Sequence, residues 1–153
     1  MSQTLSGWLL DTNVLSELRK PTCNPAVKQW ISQRRSIELY VSSVTFAEIR
    51  FGIGRIKDAD RRHALNHWLD SELRPWFRER VIDIDESVIL RWREMVEAGR
   101  KRGHTFSQPD LFIAASADLH GLCVATRNTA DFIATGVAVL NPWKGENAPL
   151  WDA

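Results

Sequence analysis

Short unbroken apolar runs alternate with stretches whose apolar residues recur at three- and four-residue steps. The run Trp8-Leu9-Leu10 has no polar alternation, the pattern of a strand buried on both faces of a parallel sheet, and it stops at Asp11. Val14 to Arg19 then reads as a short helix stopped by Pro21, and Pro25 to about Arg35 as a second, with proline in its favoured first turn. Glu38 to Val41 is the next expected strand. Ser42 or Ser43 caps a helix from Val44 to about Phe51, which carries Glu48 and ends at Gly52. From Asp58 or Asp60, the spacing of Leu65, Trp68, Leu69, Leu73 and Trp76 predicts one long amphipathic helix. Val81 to Ile84 is a short strand, and Asp85 caps a helix with Val88, Trp92 and Val96 on one face. Ser107 opens a further helix, apolar almost all round from Leu111 to Leu119, and Gly121 closes it. Cys123 to Thr126 and Val137 to Leu140 are the last strands, separated by a loop through Asp131. Strands alternating with helices in this way define an α/β protein with a mainly parallel sheet.

Composition narrows the class. A chain of 153 residues, 44% hydrophobic and 25% charged, has the size and make-up of one globular domain, expected to span residues 1–153. Lys+Arg 20 against Asp+Glu 19 leaves a net charge of +1, so any nucleic-acid binding has to come from local patches. The densest is Arg100-Lys101-Arg102, followed by Gly103-His104. Cys23 and Cys123 lack metal-ligand spacing and fit a reducing compartment. No signal peptide and no membrane span are read in the chain, which gives a cytoplasmic expectation. Seven tryptophans are scattered from Trp8 to Trp151, mostly at core spacing.

Four acids carry the candidate chemistry. Asp11, Glu48, Asp110 and Asp131 each fall at a strand end or in the first turns of a following helix, positions that converge at one edge of a doubly wound sheet. Each also has a plainer reading. Asp11 and Asp131 serve as helix caps, Asp110 completes a capping box with Ser107, and Glu48 is an ordinary helix former. The apolar neighbours Phe46, Ala47, Ile49 and Phe51 argue for a largely buried helix in which Glu48 needs a reason to stand. Converging carboxylates repel unless a cation joins them, and an all-oxygen set suits Mg²⁺ or Mn²⁺ rather than zinc. A carboxylate-held Mg²⁺ suits phosphoryl chemistry. His63 and His67, four apart, lack the intervening acid of a metalloprotease pair, and Gly52-Ile53-Gly54 follows a helix and not a strand, so neither makes a site.

The blocks Leu9-Leu10-Asp11-Thr12-Asn13-Val14-Leu15, Ser42-Ser43-Val44-Thr45-Phe46-Ala47-Glu48, Pro109-Asp110-Leu111-Phe112 and Thr126-Arg127-Asn128-Thr129-Ala130-Asp131, closed by Asn141-Pro142-Trp143, resemble the PIN-domain ribonucleases, in particular the VapC and FitB-like toxins. The likeness runs through essentially the whole chain. It implies an α/β/α sandwich and Mg²⁺- or Mn²⁺-dependent endonucleolytic cleavage of RNA. It implies that Asp11 and Asp110 are the firmest metal ligands, that Glu48 and Asp131 complete the quartet, and that Thr126 and Asn128 support the fourth acid. It also implies a small DNA-binding antitoxin as partner, and homodimers joined into larger assemblies. Two rival readings stand beside it. One is a small Mg²⁺-dependent phosphatase using Asp11 as nucleophile, although Asn13 replaces the acid expected two places on. The other is a non-catalytic module whose acids attract a basic partner.

Overall fold

The computed structural model describes residues 5–145 and Pro149. Strand β1 (Gly7–Leu10) lies at the centre of a five-stranded sheet of order β3-β2-β1-β4-β5. The others are β2 (Leu39–Ser42), β3 (Val81–Ile82), β4 (Leu122–Ala125) and β5 (Val139–Leu140), and every pairing is parallel. Gly7 is required where β1 meets β2, because a Cβ there would stand 2.5 Å from the Glu38 carbonyl oxygen.

Apolar side chains on both faces of these strands seed two cores. Leu10, Leu39, Val41, Cys123, Ala125 and Leu140 pack on one face with α1 (Thr12–Arg19), α2 (Pro25–Ser32) and α3 (Ser43–Gly54). Leu9, Leu122, Val124 and Val139 pack on the other with α7 (Gln108–His120) and α8 (Thr129–Ile133). Helix α6 (Glu86–Lys101) lies against α7, its Trp92 stacked on Phe112 with ring centroids 4.9 Å apart. This is the expected α/β/α sandwich.

Several boundaries differ from the pattern reading. The long amphipathic stretch is helical throughout but changes hand-hold partway. Helix α4 (Ala59–Trp68) passes through a π turn, Leu69–Leu73, into α5 (Arg74–Phe77). Pro75 cannot donate to Ser71 and its ring crowds that carbonyl, and the chain widens just before it. Helix α3 runs through Gly52 to Gly54 because Ile53 is drawn into the core. Helix α2 ends at Ser32, short of Arg35, and Arg34 lies over the rings of Trp8 and Trp30. Asp131 is in the first turn of α8, not in a loop. Of the tryptophans, Trp30 is buried, Trp8, Trp68, Trp92 and Trp143 are half-buried, Trp76 is partly exposed, and Trp151 lies outside the described residues. Among the described residues no helix is long and apolar enough to cross a membrane.

Candidate acidic site at the crossover of the sheet

The chain winds outward from β1 through β2 to β3, then crosses to the other side of β1 to lay down β4 and β5. The order reverses between β1 and β4, and at such a switch point the carboxyl ends of the strands frame a crevice. Leu10 pairs with Ala125, so the next residues, Asp11 and Thr126, emerge side by side. The Asp11 amide continues the ladder by donating to the Ala125 carbonyl at 3.0 Å.

Asp11 is 4% exposed and its carboxylate is held at both oxygens. The Thr12 amide donates to Oδ1 at 2.8 Å. The Thr126 hydroxyl donates to Oδ2 at 2.8 Å and Asn13 Nδ2 reaches the same oxygen at 3.3 Å. The Thr126 oxygen in turn accepts from Asn13 Nδ2 at 3.3 Å and from the Asn128 amide at 3.0 Å, which uses its donor and both its lone pairs. Asn13 Oδ1 accepts from the Arg127 amide at 3.2 Å and so ties the two strand ends a second time. Burial raises the Asp11 carboxyl above its ordinary range, opposed by the bonds from Thr126 and Thr12.

Asp110 stands in the first turn of α7, and the capping box that offered its plainer reading is not formed: Ser107 makes no side-chain cap. Its carboxyl is pushed up to about 6 by burial first, then by the charges of Asp11, Asp131 and Glu48. The four acids therefore share one electrostatic field. Among the described residues none of the four is ion-paired, although Arg19 and Arg61 line a groove together with Glu48. The donor set is all oxygen with excess negative charge, which fits a hard divalent ion. The carboxylates do not yet close on one point; among the described residues no three acidic, histidine or cysteine side chains are near enough together to hold a metal ion.

Glu48 corrects one expectation. It is exposed, as are Ala47 and Phe51, and α3 buries only the stripe Thr45, Phe46, Ile49 and Ile53. Its position therefore does not follow from burial. It borders an open groove of about 260 Å³ between α1, α3 and α4, which Arg19 and Arg61 also line. Asp131 is likewise exposed, one turn into α8. Among the described residues Asn128 enters the network through its backbone amide and not its side chain. The residue missed in the sequence is Asn13, whose amide links Asp11 to Thr126; its place two residues after the strand-ending acid was the available signal. His63 and His67 are both exposed, consistent with a solvated pair.

The PIN domain family pattern matches residues 8–137, and this chain belongs to that family. It is similar to the toxin FitB of Neisseria gonorrhoeae, 36% identical over 88% of this chain and 97% of that protein. It is also 36% identical to VapC ribonuclease Y4jK of Sinorhizobium fredii, over 89% of this chain and 97% of the relative. Among solved structures, the FitAcB crystal structure from Neisseria gonorrhoeae superposes with a TM-score of 0.84 at 35% identity, covering 89% of this chain and 98% of that one.

Proposed function

We propose that this protein is a metal-dependent endoribonuclease and the toxin of a toxin–antitoxin pair, a single PIN-like domain acting in the cytoplasm. The observation that carries the reading is the buried Asp11 carboxylate, held by Thr12, Thr126 and Asn13 at the crossover of a PIN-family sheet, with the Asp110 carboxyl raised by burial and in part by the charges of Asp11, Asp131 and Glu48. The names of the relatives, a toxin and a VapC ribonuclease, support the same activity. Asp11 and Asp110 would hold Mg²⁺ or Mn²⁺, with Glu48 and Asp131 completing the set directly or through water. Bound there, the ion supplies electrostatic stabilisation of a scissile phosphate and activation of water. The protein's own part is placement: Thr126 and Asn13 fix the rotamer of Asp11, and the Asn128 amide fixes Thr126. A small DNA-binding antitoxin is the expected partner, since similar chains occur in structures described as FitAcB and as FitAB bound to a DNA fragment. A homodimer is the expected unit.

The test is cleavage of a panel of structured RNAs by the purified protein with Mg²⁺, Mn²⁺ or EDTA, beside Asp11→Asn. Metal-dependent cutting that disappears in the variant is expected. Undiminished cutting by Asp11→Asn would sink the assignment. A trapped aspartyl-phosphate with no RNA cleavage would put the phosphatase in its place, and altered partner binding without turnover would favour the binding module.

A further inference from the structure

At the edge of the acidic site, on the side of Asp110 and Asp131, lies a segment whose own residues the nuclease chemistry does not use. The segment joining α6 to α7 folds back over the end of α8 and encloses a pocket of about 100 Å³ bordered by His104, Phe106, Ser107, Asp110, Asp131 and Thr135. The segment is built, not loose. The His104 amide donates to the Gly99 carbonyl at 2.8 Å and the Gly103 amide to Arg100 at 3.0 Å. Arg102 Nη2 donates to the Ala134 carbonyl at 3.1 Å, which fastens the end of α6 to the last turn of α8. Gly99 is buried beneath, and a Cβ there would stand 2.7 Å from the Phe106 ring and 3.0 Å from the His104 carbonyl oxygen. Close seating of this segment on α6 thus depends on that glycine.

The chemistry of the pocket selects its occupant. Asp110 and Asp131 at its border are shared with the metal of the ribonuclease reading, which leaves His104, Phe106 and Ser107 to contact a ligand. The His104 and Phe106 rings lie 4.3 Å apart at 50°, with His104 exposed, so a planar ligand has an aromatic surface to lie on. Among the described residues the Ser107 hydroxyl makes no hydrogen bond and is open to a ligand edge. The volume is about a third of the smallest drug-sized sites, room for one flat ring system. Lys101 and Arg102, which lead into the segment, are exposed cations of the kind that suits a phosphodiester backbone.

We infer that this pocket seats one base of the RNA next to the cleaved linkage, with His104 as its stacking surface, so that the α6–α7 segment positions the strand and sets base preference at one place. The inference rests on the ribonuclease reading for its substrate, but its test does not depend on turnover.

The probe is a single-stranded oligouridylate hexamer carrying one fluorescent base, 2-aminopurine or pyrrolocytosine, moved in turn through each position. It is bound in Mg²⁺ to Asp11→Asn protein, alone and combined with His104→Ala or His104→Tyr. Emission should change at one position, with His104→Ala abolishing that change and weakening binding by about fivefold, the low end for one base on one ring. His104→Tyr should restore both. No position-specific change, or an unaltered one in His104→Ala, would overturn the base seat. If the position-specific signal holds while protein with native Asp11 cuts no RNA, the ribonuclease reading fails and the base seat stands.

Discussion

Asp110 is the residue whose environment makes the sharpest claim. Its folded pKa, about 6, lies above the ordinary 3.8, so between these values the folded protein binds more proton than the unfolded chain. Stability therefore falls as pH rises through that window, and the loss is complete above about 6. Asp11, also raised, acts in the same sense. In EDTA, Asp110→Asn should flatten the decline between pH 4 and 6, and at pH 7 it should stabilise the metal-free protein. The gain should be on the order of 1 kcal/mol, because solvent screens a half-exposed carboxyl. Urea denaturation of both proteins across this range checks it, and parallel curves would refute it. Thr126 makes a second residue-scale case. Thr126→Val removes the donor to a buried carboxylate and leaves the shape nearly unchanged. A loss of about 1–3 kcal/mol in denaturation midpoint analysis is expected, with the Asp11 carboxyl rising further.

At the scale of the element, two glycines of similar appearance in the sequence should behave oppositely. Gly52 lies inside α3, and a Cβ there meets nothing within 4 Å. Gly52→Ala should stabilise by about 0.5–1 kcal/mol, as alanine in a helix interior does. Gly99 lies inside α6 under the Phe106 ring, so Gly99→Ala should destabilise and shift the α6–α7 segment. Chemical denaturation of the pair separates the cases, and equal signs would contradict the packing described for α6. The proline-driven π turn before α5 carries the same lesson. Periodicity finds the apolar face of an element, while its local winding answers to one residue's stereochemistry.

For the whole molecule, the shared acidic field predicts linkage between metal and fold. An ion held only by the assembled site stabilises by RT ln(1 + [L]/Kd), about 2.7 kcal/mol at a hundred times Kd. Millimolar Mg²⁺ should thus raise Tm in the wild-type protein by several degrees, at roughly 2–4 °C per kcal/mol for a chain of this size. The rise should be lost in Asp110→Asn. An equal rise in that variant would show that the ion binds elsewhere.

The sequence by itself determined the alternation of strand and helix, the double-faced burial of β1, and the acid that ends the first strand. These are local properties, written in side-chain period, caps and breakers within a few residues. It could not yield the bond from Thr126 to Asp11, 115 residues apart, or the bridge made by Asn13. Those follow from a parallel register between strands that a long crossover brings together. Nor could it tell that Glu48 faces solvent, since hydrophobic neighbours in sequence lie on different faces of a helix. The pocket under His104 was invisible for the same reason: its border joins the α6–α7 segment and the start of α7 to α8, and only the packed sheet brings α8 beneath that segment.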